Sequence, residues 1–81
     1  MNGEINMHNV VALLENVHAK HFESGQRLLL RRGQIGTVVM TYHDGAREVE
    51  FADRDGRAFA ILPLRPDLLM ALHHASDFAA T

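Results

Sequence analysis

Residues 36–51 read GTVVMTYHDGAREVEF, a β-branched run followed by a turn signal and an alternating run. The Asp44-Gly45 pair supplies the positive backbone φ that a tight hairpin needs. In the run after the turn, Val49 and Phe51 alternate with glutamates, as expected for an antiparallel strand with one face toward solvent. The stretch therefore predicts a β-hairpin that buries Val49 and Phe51.

The segments on either side extend this hairpin. A second turn signal, DRDG, leads to RAFAILP, whose Phe59 and Ile61 share a parity and are expected to face the core, so three strands form a meander. The short apolar run Val10–Leu14 predicts a first strand, and Leu68–Leu72 a last one. Between the first two strands, Glu15–Gln26 loses its periodicity and predicts a long loop. Pro63 and Pro66 are expected to end the meander and to frame a tight or 3₁₀ connection.

Five short strands predict a mainly β fold. A flat sheet of this size would leave one apolar face wet, so a small, strongly bent five-stranded barrel is expected. Gly33 would turn the chain at φ values that other residues resist, and Gly36 would let neighbouring chain approach closely. We expect one barrel domain over residues 8–72, between a flexible N-terminus (1–7) and a short C-terminal tail (73–81).

The ordered set VVALLE, RGQ-GTVV, DGA-EVEF and DG resembles an uncharacterised bacterial family of small proteins that carry a domain of unknown function. The resemblance covers roughly residues 8–72 and implies an SH3-like barrel. The segment RRGQIGTV is also similar to the GxxGxV-like start of KOW modules. The family has no assigned activity, and its members are often encoded beside another small protein, which implies a pair. Arg47 stands where the resemblance implies an aromatic residue.

The composition narrows the function classes. The 81 residues include no cysteine, which excludes disulfides, thiolate metal sites and thiol nucleophiles. The formal charge of −2 weighs against a protein that mainly grips nucleic-acid backbones. The N-terminal segment lacks the pattern of a secretory signal, and no stretch approaches the roughly 20 apolar residues of a membrane helix. These features predict a cytoplasmic protein without membrane contact.

No residue pattern predicts catalysis. GQIG lacks the lysine and hydroxyl residue of a nucleotide P-loop, and Glu48 and Glu50 fit the solvent side of a strand better than a catalytic pair. The histidine pairs at 18 and 21 and at 73 and 74 match no metal-binding spacing tied to a mechanism. The chain is therefore expected to be neither an enzyme nor a protein that holds a metal or cofactor.

Protein binding is the function that the sequence favours. Consecutive leucines at 28–30 break strict alternation, and exposed apolar surface of this kind often marks an interface. The partner would be a neighbour-encoded protein, in an antitoxin-like or accessory pairing, or a second copy. The alternative is a KOW-like nucleic-acid module, and a core position for the leucines remains equally open. The predicted partner-binding residues are Arg27, Leu28, Leu30, Arg31, Arg32 and Tyr42.

Overall fold

The computed structural model describes residues 5–80, which form seven strands and one 3₁₀ turn. The strands are β1 (Val10–Leu13), β2 (Val17–Lys20), β3 (Arg27–Leu30), β4 (Ile35–Thr41), β5 (Arg47–Ala52), β6 (Ala58–Leu64) and β7 (Leu69–Ala71), with the 3₁₀ turn at Pro66–Leu68 before β7. The mainly β prediction is confirmed. The five predicted strands form, and β2 and β3 are two additional strands, of which β2 lies inside the expected loop.

A five-stranded antiparallel sheet in the order β6-β5-β4-β1-β7 contains the predicted meander. The strands β2 and β3 form a separate two-stranded ribbon, so the described sheets do not close into one barrel. β6 is an edge strand, which explains why it continues through Pro63 to Leu64: a proline at an edge removes no necessary ladder hydrogen bond. The expectation that Pro63 ends this strand was wrong.

Gly36 allows β4 and β5 to pack closely, as the sequence predicts. A Cβ atom at this position would lie 2.6 Å from Val49 Cγ1, 2.9 Å from Phe51 Cε1 and 3.0 Å from the carbonyl oxygen of Glu50. Gly33 provides a positive backbone φ of +89°, which other residues resist, and so turns the chain into β4. The core beside Gly36 consists of Ile5, Val11, Leu13, Leu30, Val38, Val49, Phe51, Ala60, Leu64 and Leu69.

Two β-bulges reset the side-chain alternation of the meander. One lies between Val38 and Met40 and turns Met40 outward, opposite Glu48. The other interrupts the β5–β6 pairing beside Phe59. Because Ala60 lies opposite Phe51 on the buried face, Phe59 is only half-buried at the edge of the core and Ile61 is exposed. The expectation that Ile61 faces the core was wrong for this reason.

The ribbon packs against the core of the main sheet. Val17, Ala19 and Leu28 contact the core from its inward side. At its tip, the amide of Phe22 donates to the carbonyl of Phe59 over 3.0 Å. This carbonyl is free to accept because the second bulge takes Phe59 out of the regular pairing of β5 with β6. The ribbon is therefore held on the main sheet by its inward side chains and by its tip.

The core begins earlier than residue 8. Ile5 is buried with the core residues, and the amide of His8 donates to Val38 over 2.7 Å. The half-buried guanidinium of Arg47 donates to the carbonyls of Ile5 and Gly45, so Arg47 ties the N-terminal segment to the β4–β5 hairpin. Ile5, which the sequence assigned to a flexible N-terminus, thus contacts the main sheet, and residues 1–4 lie outside the described part of the chain.

Candidate interaction surfaces

The ribbon presents a face of cationic and apolar side chains. Strand register places His18 opposite Leu29 and Lys20 opposite Arg27, and residues that face each other across an antiparallel pair share one side of the ribbon. All four are exposed. Two like charges placed directly opposite each other destabilise a strand pair. The Lys20–Arg27 pair therefore favours an anionic group from outside the ribbon.

A cleft of about 320 Å³ opens on this ribbon, lined by His18, Ala19, Lys20 and Arg27. Within residues 5–80 the only ion pair joins Arg65 and Asp67, so no carboxylate neutralises the ribbon cations. The cleft can thus accept a carboxylate or another oxyanion between Lys20 and Arg27.

A rigid turn after β3 presents Arg31 and Arg32. The amide of Arg31 donates to Gln34 Oε1 over 3.0 Å, and the amide of Arg32 donates to Asn16 Oδ1 over 2.8 Å. Gly33 closes the turn by donating to the carbonyl of Leu13. Both arginine side chains are exposed, so a fixed backbone extends the cationic surface beyond the cleft.

The structure divides the leucine triplet between the core and the surface. Leu30 is 1% exposed and belongs to the core, and Leu28 is half-buried against it, so Leu30 cannot contact a partner. Leu30, which the sequence placed among the binding residues, is therefore a core residue of the free chain. The residue that faces solvent is Leu29, which is 48% exposed. Sequence reasoning missed it because three consecutive leucines do not reveal the parity of the strand.

Tyr42 lies apart from the arginines. It follows the last residue of β4, whereas the arginine turn precedes the first, and a strand of this length spans about 20 Å. The Tyr42 hydroxyl donates to Glu48 Oε1 over 2.8 Å. This hydrogen bond, together with the negative charges of Glu48 and Asp44, raises the pKa of Tyr42 above 10.0. A carboxylate beside the ring makes it a poor platform for phosphate-bearing ligands.

The titration of Tyr42 can be measured directly, because it is the only tyrosine of the chain. We expect the absorbance of phenolate near 295 nm to rise with a midpoint above pH 10, and the midpoint to fall toward 10 in Glu48→Gln. A folded-state pKa above the unfolded value stabilises the protein fully below about pH 10, and this contribution is lost as the pH rises through the folded pKa. Equal midpoints in both proteins would contradict the hydrogen bond.

The second surface lies on the outer face of the main sheet, opposite the core. Ala12 pairs with Ile35 on one side and with Met70 on the other, so the three side chains form a row across β4, β1 and β7. Val10 and Leu14 lie two residues on either side of Ala12 and share its parity. We call the exposed members of this group the outer patch: Val10, Leu14, Ile35 and Met70.

Within the described part of the chain, the histidine pairs singled out in the sequence do not come together with acidic side chains in a metal-binding group. Over residues 5–80, no three histidine, aspartate or glutamate side chains come close enough to hold a metal ion. His18 lies in β2 and not on a helix, and His21 Nδ1 accepts from the amides of Glu23 and Ser24 in the ribbon tip. No helix in this part of the chain is long and apolar enough to cross a membrane.

Comparison with curated proteins and with solved structures gave no significant match. A protein family does match, and it covers residues 7–71, which include all seven strands and the ribbon. The chain therefore belongs to the family described as Domain of unknown function (DUF4926).

Proposed function

We propose that this chain is a non-enzymatic protein-interaction module whose ribbon binds an acidic and apolar segment of another protein. The observation that carries the proposal is the exposed Leu29 beside the cations of the cleft. An exposed apolar side chain can contact a partner while the cations beside it favour partners of opposite charge.

The contacts of the ribbon define the chemistry of the partner. Lys20 and Arg27 would pair with a carboxylate in the cleft, and Leu29 would contact an apolar side chain of the same segment. Arg31 and Arg32 would engage further acids, because their turn is already ordered in the free chain. The partner we propose is therefore an acidic protein segment with at least one large apolar residue.

The neighbour-encoded protein that the resemblance implies is the first candidate for this partner. In that pairing the chain would act in the cytoplasm as an accessory subunit or in the manner of an antitoxin, blocking or supporting the activity of its neighbour. Tyr42 would join the interface only if the partner extends along β4, since about 20 Å separates it from the arginine turn.

Replacing Leu29 with aspartate tests this proposal. We expect the variant to fold normally, because Leu29 is exposed, and to lose at least about 10-fold of its affinity for the partner. The measurement is affinity capture from the native cell followed by quantitative mass spectrometry, and then titration with the captured protein. Met40→Asp is the matched control, since Met40 is 46% exposed and lies on the main sheet. Equal capture by all three proteins would contradict the proposal.

A KOW-like nucleic-acid module is the second candidate, which the opposed Lys20–Arg27 pair and the arginine turn favour. Such a module with four phosphate contacts should bind single-stranded RNA and lose about 50-fold in affinity between roughly 50 and 200 mM salt. The protein-binding proposal instead expects no measurable RNA affinity at the higher salt concentration. RNA binding that is steeply salt-dependent and insensitive to Leu29→Asp would replace the first candidate with the second.

A further inference from the structure

We infer that the outer patch is an interface between two copies of this chain, packed face to face about a two-fold axis parallel to β1. The patch is separate from the ribbon and contains none of the residues proposed to bind another protein. Ile35 is 58% exposed and Met70 is 49% exposed, and they flank Ala12 in one continuous row. Contiguous exposed apolar surface of this kind marks an interface on a small protein.

The composition of the patch favours a second copy as its occupant. None of the strands β1, β4 and β7 contains a charged residue. The patch can therefore face an identical patch without bringing like charges together, and homodimer interfaces are more apolar than those between different proteins.

The surface area of the chain supports the same occupant. The chain exposes 6358 Å², whereas a compact monomer of 9.1 kDa exposes about 4,900 Å². The outer patch is one of the open apolar faces of the chain. A standard interface removes about 800 Å² from each partner, so dimerisation would bring the exposed area of each copy closer to that of a compact protein.

The charges beside the patch decide the direction of the axis. Glu48 and Glu50 lie on the outer face of β5, next to β4. An axis perpendicular to the strands would stack β5 on β5 and bury these charged side chains in the interface, which is unfavourable. An axis parallel to β1 instead places β4 of one copy over β7 of the other, so that each Ile35 contacts Met70 of the second copy.

Sedimentation velocity and light scattering of the full chain measure the proposed dimer. Between about 1 and 500 µM, we expect the mass to rise from that of the 9.1 kDa monomer to twice that value. A chain that stays monomeric throughout this range would overturn the inference. Because the ribbon is outside the interface, this result would leave the protein-binding proposal intact.

Two substitutions test the contact between Ile35 and Met70. Ile35→Glu and Met70→Lys should each weaken the dimer by about 100-fold, because each buries two unpaired charges. Mixing the two variants should restore dimers, since one Glu–Lys pair and one native Ile–Met contact then form. Ile61→Glu is the matched control: Ile61 is 41% exposed on the same face, but on β6, outside the interface, and its dimer should match the wild type.

Circular dichroism tests whether each variant is folded. We expect that both fold, because Ile35 and Met70 are exposed in the monomer. Folded single variants that dimerise as well as the wild type would overturn the inference. A mixture of the two variants that stays monomeric would also overturn the inference. It would show that Ile35 of one copy does not contact Met70 of the other, which is the contact that the axis requires.

Discussion

Replacing Phe51 with alanine is expected to lower the free energy of unfolding by about 3–5 kcal/mol. Phe51 is fully buried and lies between Gly36 on β4 and Ala60 on β6. The small neighbours make room for its ring and cannot refill the space when the ring is removed. A chain of 81 residues has a total stability of about 4–12 kcal/mol, so the substitution would remove a large fraction of it. Urea denaturation followed by circular dichroism measures the change.

Phe78→Ala is the matched control for this experiment. The substitution is chemically identical, but Phe78 is 88% exposed after the last strand, so the free energy of unfolding should change by less than about 0.5 kcal/mol. If both variants lost similar stability, the burial of Phe51 would not be the cause.

Gly36→Ala is expected to cost about 3 kcal/mol, although it adds a single methyl group. The new Cβ would lie closer to the Val49 and Phe51 side chains than real Cβ atoms come, and 3.0 Å from a backbone oxygen. Val49 and Phe51 are both fully buried, so neither can move away cheaply. The loss should be visible as a lower urea midpoint with an unchanged slope.

Gly33→Ala separates steric overlap from backbone strain. Gly33 has a φ of +89°, but no atom lies within 4 Å of the position that the new methyl group would occupy, so only conformational strain of about 1–2 kcal/mol is expected. The comparison requires Gly36→Ala to be the more destabilising variant. The reverse order would show that the β4–β5 approach is less tight than the structure indicates.

The central hairpin could be predicted from sequence because its signals are local. The Asp-Gly turn fixes where the chain reverses, and strict alternation in β5 identifies Val49 and Phe51 as the buried residues. The close approach at Gly36 also follows from a glycine at the start of a β-branched strand. Both predictions depend on neighbours in the chain and need no knowledge of tertiary contacts.

The bulges and the ribbon could not be predicted in the same way. A bulge changes the parity of every later side chain in its strand, and neither Val39 nor Phe59 carries a glycine-like signal for one. Strand β2 has only four residues, and it pairs with a strand whose own apolar triplet has no alternation. Its pairing is decided by packing on the core, which is a non-local effect.

Only part of the candidate site could be predicted, because strand parity is again not visible in the sequence. Arginines at 27, 31 and 32 are exposed cations wherever the ribbon lies, so composition identified them. Which leucine accompanies them depends on strand parity, and parity exchanged Leu30 for Leu29. The outer patch could not be predicted from the sequence either. Ile35 and Met70 come into one row only because β4 and β7 both pair with β1.

The bond from the Phe22 amide to the Phe59 carbonyl makes the ribbon tip preorganised for recognition. A tip that is already fixed loses little conformational entropy when a ligand binds, whereas a free tip would have to be immobilised at the expense of affinity. If the ribbon binds the proposed partner, this bond would favour binding at Lys20 and Arg27 although neither Phe22 nor Phe59 is among the residues proposed to touch it. The bulge in an edge strand would then be a remote determinant of the proposed affinity.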